Sequence, residues 1–177
     1  FMNKFDISKL EKSVREVPDF PKPGIKFKDI TPILINPKLL SMSIEALASH
    51  VDSSSIDKII GIDARGFIFG SLLANLLGKG FIPVRKEGKL PWQTLSQTYD
   101  LEYGKSLIEI HKDAIDPGER ILIVDDLLAT GGTAEAAVKL VEKLSGTVDS
   151  LLFFIELEFL NGRELLKNTK VQSVLKY

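Results

Sequence analysis

Short apolar stretches alternate with amphipathic segments through the later two thirds of the chain. Apolar runs at residues 59–62, 81–84, 120–124 and 148–155 predict strands, and apolar positions at helical spacing predict helices over 66–77 and 133–144. Strands that alternate with helices usually form a parallel sheet whose two faces are covered by those helices. The pattern therefore predicts an α/β fold with a mainly parallel central sheet flanked by helices.

Two parts of the chain interrupt this alternation. Ser8-Lys9-Leu10-Glu11 has the form of a capping box and predicts a short helix that begins there and ends before Pro18. Prolines punctuate residues 18–32, which excludes a central strand there, and Asn36-Pro37 predicts the start of the next helix. The polar stretch 86–98 predicts a long loop followed by extended chain, and loops of this length in compact domains are often functional.

Composition and charge narrow the function classes. The 177 residues suit one domain, and neither a repeat nor a linker divides residues 2–177. Lys and Arg number 23 against 24 Asp and Glu, so the net charge of −1 supplies no broad footprint for nucleic acid or an anionic membrane. The absence of cysteine excludes disulfides, iron–sulfur clusters and thiolate zinc sites, and the two histidines lack metal-ligand spacing. The longest apolar run is far too short to span a membrane and no secretory signal pattern is present, so we expect a cytoplasmic protein.

The segment 121–133 carries the most informative chemistry. Its apolar run leads into Asp125 and Asp126, which we expect beyond the carboxyl end of a strand, where α/β sheets bind ligands. Residues 129–133 can offer successive backbone N–H groups and two hydroxyls to a phosphate at a helix N-terminus. The carboxylates beside them can accept hydrogen bonds from hydroxyls such as those of a ribose. The structural alternative is a plain loop in which Gly131-Gly132 makes the turn and Thr133 is the N-cap.

Other phosphate and hydrolase motifs fail on inspection. Gly61 and Gly66 have the glycine spacing of a P-loop, but Phe67 and Ile68 stand where Lys and Ser or Thr are required. The sequence contains neither the G-x-G-x-x-G dinucleotide fingerprint nor the G-x-S-x-G nucleophile elbow.

The whole string from Ile121 to Thr133 resembles the phosphoribosyl pyrophosphate (PRPP) motif of type I phosphoribosyltransferases, in the form found in adenine phosphoribosyltransferases. Residues 63–67 are similar to the family's pyrophosphate loop, with Ala64 in place of its usual Ser, and residues 85–91 match its Arg-Lys-x-Gly-Lys-Leu-Pro segment. The resemblance also implies a non-proline cis peptide between residues 63 and 64. It assigns PRPP binding to Asp125, Asp126, Ala129, Thr130, Gly131, Gly132 and Thr133, and pyrophosphate binding to Asp63, Ala64, Arg65, Arg85, Lys86 and Lys89.

The resemblance implies two further parts of a site. Residues 98–105 are similar to the family's flexible β-loop over the site, in which Glu102 would be the acid/base residue and Tyr103 its aromatic neighbour, with Arg65 also catalytic. Residues up to about 35 resemble its N-terminal hood, and the core would run over 36–177. Adenine would contact Phe27, Leu157 and backbone groups near Ile25 and Lys28, although plain packing also explains isolated apolar residues such as Phe27 and Leu157.

The expected activity is transfer of a phosphoribosyl group from PRPP to adenine, giving AMP and pyrophosphate. The resemblance implies Mg²⁺ as cofactor, held mainly by substrate and water, with no dedicated metal site. It also implies a homodimer. Two alternatives stay open: a phosphoribosyltransferase for another base, because the PRPP motif does not encode the purine, and a PRPP-sensing transcription regulator without catalysis. The latter needs a nucleic-acid surface, for which the charge offers little support.

Overall fold

The computed structural model describes residues 4–100 and 104–177, with side chains from residue 7 onward. The chain divides into two compact units, one ending at Ser49 and the other spanning His50–Tyr177. The first unit contains α1 (Lys4–Ser13), β1 (Arg15–Pro18), β2 (Lys26–Asp29), α2 (Thr31–Leu34) and α3 (Pro37–Ala48). The expectation of one domain over residues 2–177, with a hood that ends at about residue 35, stays a prediction.

Local sequence explains the elements of the first unit. The Asn36 side chain accepts hydrogen bonds from the amides of Lys38 and Leu39 at 3.0 and 3.2 Å, and Pro37 occupies the first turn of α3, which confirms the predicted cap. The capping-box prediction at Ser8 is wrong. Helix α1 already includes Lys4, because none of the residues before Ser8 is a glycine or proline that would stop a helix. The proline-punctuated segment contains the end of β1, all of its antiparallel partner β2 and the start of α2, and none of it joins the central sheet.

The second unit is built on a seven-stranded sheet. Its elements are β3 (Lys58–Ile62), α4 (Arg65–Leu77), β4 (Gly80–Lys86), β5 (Thr94–Asp100), β6 (Lys105–His111), β7 (Arg120–Leu128), α5 (Gly132–Lys143), β8 (Thr147–Glu156), two short 3₁₀ turns (Glu158–Leu160 and Gly162–Leu166) and β9 (Val171–Lys176). The strand order is β5-β6-β4-β3-β7-β8-β9. The neighbouring pairs β4–β3, β3–β7, β7–β8 and β8–β9 are parallel, whereas β4–β6 and β5–β6 are antiparallel. The predicted mainly parallel α/β sheet is therefore confirmed.

The two long helices of this unit cover opposite faces of the sheet. Adjacent residues of a strand point to opposite faces, and Phe153 and Phe154 of β8 show this directly. Phe153 packs in the cluster that contains Leu140 of α5, whereas Phe154 stacks on Phe69 of α4 with ring centroids 5.0 Å apart. Among the described residues, no helix is long and apolar enough to cross a membrane.

The structure corrects two expectations near the sheet's carboxyl edge. Strand β7 continues to Leu128, so Asp125 and Asp126 lie within its C-terminal half rather than beyond its end. The predicted long loop is confined to residues 87–93, because the chain from Thr94 pairs with β6 as a hairpin. Strand β9, which the sequence pattern did not predict, completes the other edge beside β8.

Candidate active site

Two adjacent carboxylates form the centre of the candidate site. Asp125 and Asp126 follow the buried residues 121–124 of β7, and only 8% of the Asp126 surface is exposed. The Asp126 amide donates to Oδ1 of Asp125 at 2.8 Å. Arg65, the first residue of α4, donates from Nε to Oδ2 of Asp126. A cation therefore lies directly against one of the two acids.

Burial of the Asp125 carboxyl raises its pKa well above the ordinary value, and the nearby Asp126 carboxylate adds to this effect. The hydrogen bond from the Asp126 amide and the charge of Arg65 act in the opposite direction without cancelling it. The fold thus holds Asp125 in surroundings that disfavour its ionised form.

The start of α4 packs closely against β7 at Asp125 and Asp126. The peptide between Asp63 and Ala64 is cis, as the family resemblance implies. A Cβ at Gly66 would lie 2.7 Å from Oδ1 of Asp125 and 3.0 Å from the carbonyl oxygen of Val124. Only a glycine at this position lets the helix approach β7 closely enough for Arg65 to contact Asp126.

The turn after β7 leads into the N-terminus of α5, where the sequence predicts an anion cradle. Gly131 has φ of +89°, a left-handed conformation that favours glycine, and it caps α5 at its N-terminus. A Cβ at Gly131 would lie 2.4 Å from the carbonyl oxygen of Gly162, so two backbone segments touch there. The neighbouring chain therefore requires glycine at this position, whatever the turn binds.

Among the predicted pyrophosphate residues, Arg85 and Lys89 contact each other, and the others line the cavity described below. Arg85 donates from Nε to Oδ2 of Asp63 at 3.1 Å and from Nη1 to the carbonyl of Lys89 at 3.2 Å, and its guanidinium lies 5.9 Å from the centre of the Phe67 ring. Arg85 therefore braces the loop at Asp63 against the segment after β4. Its direct contact with a pyrophosphate stays a prediction, as does that of Lys89.

A cavity of about 350 Å³ gathers many of the predicted residues. Polar groups from β4, β5, β7 and the starts of α4 and α5 surround it, together with a few apolar side chains. The lining consists of Ile62, Asp63, Ala64, Arg65, Lys86, Tyr99, Ile108, Asp125, Asp126, Leu127 and Thr133. Of the described residues that the sequence assigned to anion binding, six are outside this lining: Arg85, Lys89, Ala129, Thr130, Gly131 and Gly132.

The predicted adenine residues lie in different units. Phe27 is on β2 and meets Phe20 edge to face at 5.2 Å, Ile25 is exposed, and the Lys28 ammonium donates to Glu16 at 2.8 Å. Leu157 directly follows β8, and its amide donates to the carbonyl of Leu128 at 2.9 Å. Their common role toward a base stays a prediction.

Sequence reasoning assigned no role to three residues at the site. Tyr99 and Leu127 line the cavity, and Gly162 supports the cradle turn. Tyr99 could have been found from the β-alternation of residues 94–100, which turns every second side chain to one face. No local signal marks Gly162. Glu102 and Tyr103 lie outside the described residues.

The chain is similar to known proteins along nearly its whole length. A family model described as phosphoribosyl transferase domain matches residues 29–154. The adenine phosphoribosyltransferase of Acidobacterium capsulatum is 56% identical over 168 residues, which cover 95% of this chain and 93% of that protein. That of Acetivibrio thermocellus is 53% identical over 169 residues, covering 95% and 99%. The chain belongs to the adenine phosphoribosyltransferase family.

Solved structures of adenine phosphoribosyltransferases share the fold. The crystal structure from Thermoanaerobacter pseudethanolicus has a TM-score of 0.94 at 54% identity and covers 97% of this chain and 99% of that one. The enzyme from Saccharomyces cerevisiae, complexed with an imino-altritol bisphosphate and adenine, has a TM-score of 0.94 at 44% identity, with coverage of 98% and 100%.

Replacing Asp125 by Asn should stabilise the fold at neutral pH. The raised pKa means that ionised Asp125 costs stability above the ordinary Asp pKa, and this cost is absent at low pH, where the carboxyl is protonated both folded and unfolded. The Tm of Asp125→Asn should therefore exceed that of wild type at pH 7, and the difference should shrink as the pH falls. The exposed Asp113→Asn variant is the control. A lower Tm for Asp125→Asn at pH 7 would contradict the assignment.

Replacing Gly131 by Ala should destabilise the chain more than a matched glycine replacement. Gly118 has nearly the same φ, +85°, but nothing lies within 4 Å of a Cβ built there, so Gly118→Ala should cost only the left-handed strain of about 1–2 kcal/mol. Gly131→Ala adds the collision with Gly162. Urea denaturation of both variants measures the difference. Equal losses would show that the two backbones separate easily.

Proposed function

We propose that this chain transfers the phosphoribosyl group of PRPP to adenine, releasing AMP and pyrophosphate. The observation that carries the proposal is a cavity that joins the Asp125–Asp126 pair, the start of α4 and Thr133 in the first turn of α5, in a chain with 53–56% identity to adenine phosphoribosyltransferases. Each of these three parts suits a different portion of PRPP: ribose hydroxyls, pyrophosphate and 5′-phosphate.

The acids suit the ribose because carboxylate oxygens accept hydrogen bonds from its 2′ and 3′ hydroxyls. As pyrophosphate departs, positive charge develops at C1′ and the ring oxygen in an oxocarbenium-like transition state. The carboxyl oxygens of Asp125 and Asp126 lie near that ring without reorganising, and their negative electrostatic potential favours the transition state over the ground state. The Arg65 contact keeps Asp126 in place while the other edge of the pair faces the cavity.

Anion binding then works at two ends of the substrate. The amides of residues 129–133 and the Thr133 hydroxyl hold the 5′-phosphate at the N-terminus of α5, which fixes the ribose as C1′ moves toward the base. Arg65 and Lys86, both in the cavity lining, stabilise the leaving pyrophosphate, with Lys89 adding charge from the neighbouring loop. Arg85 acts on the same anion through the loop at Asp63, which it braces.

The base site is proposed from the family resemblance together with the residue chemistry. Phe27 stacks on one purine face, Leu157 closes the other, and backbone groups near Ile25 and Lys28 read the purine edge. Glu102 supplies or shares a proton at purine N7, with Tyr103 beside it. Closure of residues 86–105 over the site keeps water from the cationic C1′.

Mg²⁺ fits the donor set of this cavity, since its paired carboxylates offer the hard oxygen atoms that this ion prefers. Among the described residues no group of three or more His, Cys, Asp or Glu side chains is arranged to hold a metal ion. PRPP and water would supply most of the ligands, and Asp125 and Asp126 would act mainly through hydrogen bonds to those ligands. When bound, the ion neutralises phosphate charge on the substrate. We also propose a homodimer acting in the cytoplasm, both inferred from the family.

Adenine is favoured over other bases by the identity of the relatives, and the same relatives weigh against a regulator that binds PRPP without turning it over. A regulator of that kind would bind nucleic acid with strong salt dependence. Retention of labelled duplex DNA or RNA at low salt, together with no AMP formation, would establish that alternative.

Replacing Glu102 by Gln or Leu should lower kcat by roughly 10²–10⁴-fold, the usual range for a general acid or base. The KM for PRPP should change little, because the cradle and pyrophosphate residues remain. Steady-state kinetics with saturating PRPP measures both. Turnover of a folded Glu102→Leu enzyme within about threefold of wild type, far inside that range, would move the acid/base role to another residue.

The choice of base is tested by incubating the protein with PRPP, Mg²⁺ and adenine, hypoxanthine, guanine or orotate. Adenine carries a hydrogen-bond donor at N6, where the 6-oxo purines carry an acceptor, and a site built for one group can reject the other by about 10⁴–10⁵-fold. We expect AMP from adenine and almost no product from the rest. Comparable kcat/KM for adenine and hypoxanthine would refute the adenine assignment.

Two variants test which groups of the protein recognise the purine base. Phe27→Ala should weaken all purines together by roughly 2–12-fold, the value of a stacking contact of about 0.5–1.5 kcal/mol. Lys28→Ala should keep the preference for adenine, because the reading groups are main chain and the Lys28 ammonium is already engaged with Glu16. A loss of selectivity in Lys28→Ala would assign the reading to its side chain.

A further inference from the structure

Arg163, which follows Gly162 in the chain, forms an ion pair in which the carboxylate is buried and the arginine side chain is 42% exposed. Glu156, the last residue of β8, has a side chain only 4% exposed. Arg163 donates to it twice, from Nε to Oε1 at 2.5 Å and from Nη2 to Oε2 at 2.7 Å, and from Nη1 to the carbonyl of Val171 at 2.9 Å. The Ser173 hydroxyl donates to Oε2 as well. One guanidinium thus joins the end of β8 to the start of β9.

The residue next to Arg163 in the chain is the one that touches the cradle. A Cβ at Gly162 would lie 2.3 Å from the carbonyl oxygen of Ala129 and 3.0 Å from Cδ1 of Leu128, and a Cβ at Gly131 would lie 2.4 Å from the carbonyl oxygen of Gly162. The cradle turn therefore rests on the Gly162 backbone. Gly162 is bonded directly to Arg163, whose side chain makes the contacts described above.

The rest of the segment 157–163 is held at both ends. The Leu157 amide donates to the carbonyl of Leu128 at 2.9 Å, and the Glu158 amide donates to the carbonyl of Tyr177 at 2.8 Å. Asn161, with φ of +53°, turns the chain between the two short 3₁₀ turns. These bonds fix where the segment begins, and Arg163 fixes where it returns toward β9.

We propose that Arg163 is a positioning residue that, through the Glu156 carboxylate, holds Gly162 against residues 129–131 and so sets the shape of the 5′-phosphate cradle. This inference rests on the proposed function for the identity of the ligand. An apolar side chain at position 156 could stabilise the fold as well as the buried Glu156 carboxylate and its half-exposed partner do, so stability alone does not account for these charges. A planar guanidinium bound to both carboxylate oxygens fixes direction as well as distance, which suits a support for a binding loop.

The chain offers a matched control in Arg120. It donates from Nε and Nη2 to Asp57 at 3.1 and 2.9 Å and from Nη1 to the carbonyl of Ser54 at 3.0 Å, the same pattern of three bonds. It lies at the start of β7, whereas the cradle follows the end of that strand. Arg120→Met therefore removes a similar set of three guanidinium hydrogen bonds at a position away from the candidate site.

The test compares binding of ribose 5-phosphate with binding of pyrophosphate by titration calorimetry, for Arg163→Met, Arg163→Lys, Gly162→Ala and Arg120→Met. We expect Arg163→Met and Gly162→Ala to weaken ribose 5-phosphate at least about tenfold, the loss expected for one hydrogen bond to a charged group, with pyrophosphate binding within about twofold of wild type. Arg163→Lys should restore part of the affinity. Arg120→Met should lower Tm while both affinities stay within about twofold of wild type, below the value of one such bond.

The outcomes separate the alternatives. The proposal is overturned if Gly162→Ala binds ribose 5-phosphate as wild type does, or if Arg163→Met weakens both ligands equally. If Arg163→Met does not fold, Gly162→Ala and Arg163→Lys decide the matter. In the kinetic assay, a rise in the KM for PRPP with kcat retained supports the positioning role. Wild-type protein that binds ribose 5-phosphate but forms no AMP would refute the proposed function and leave this inference standing.

Discussion

The burial of two adjacent acids in a central strand is the constraint on which the rest of the site depends. Strand β7 lies between β3 and β8, so the carboxyls of Asp125 and Asp126 have little access to bulk water and must be satisfied by the protein. Arg65 and the Asp126 amide do part of this. The Arg65 contact requires α4 to begin almost in contact with β7, which explains why Gly66 follows Arg65. Burial and the neighbouring Asp126 carboxylate raise the pKa of Asp125 despite these two contacts.

Much of this fold follows from the sequence pattern because its central strands are continuous apolar runs. Residues 59–62, 121–124 and 151–155 are buried on both faces, and such runs identify strands of a covered parallel sheet without any knowledge of their neighbours. Strands β5 and β9 are partly exposed along most of their length and were harder to predict. Charged residues normally end a predicted strand, which is why β7 was expected to stop before its two acids.

The candidate site divides in the same way. Its anion-binding turn and acid pair are contiguous in sequence, so both the residue chemistry and the family resemblance could identify them. The supports are not contiguous. From the sequence alone, Arg85 is interpreted as one more cation that binds an anionic ligand. Only the structure shows that its Nε donates to Asp63. Gly162, Arg163 and Glu156 gain their meaning from contacts across β7, β8 and β9, and no local pattern carries that information.

The contact of Gly131 with Gly162 couples the effects of substitutions at two positions that are distant in the sequence. A side chain at either position opens the same gap between the two backbones, so the second replacement costs less than it would alone, and the two effects are not additive. Selection cannot then test the positions independently: a lineage that keeps one glycine gains nothing by losing the other. In the evolution of this chain, the loop that meets the phosphate and the segment that follows β8 are expected to change together or not at all.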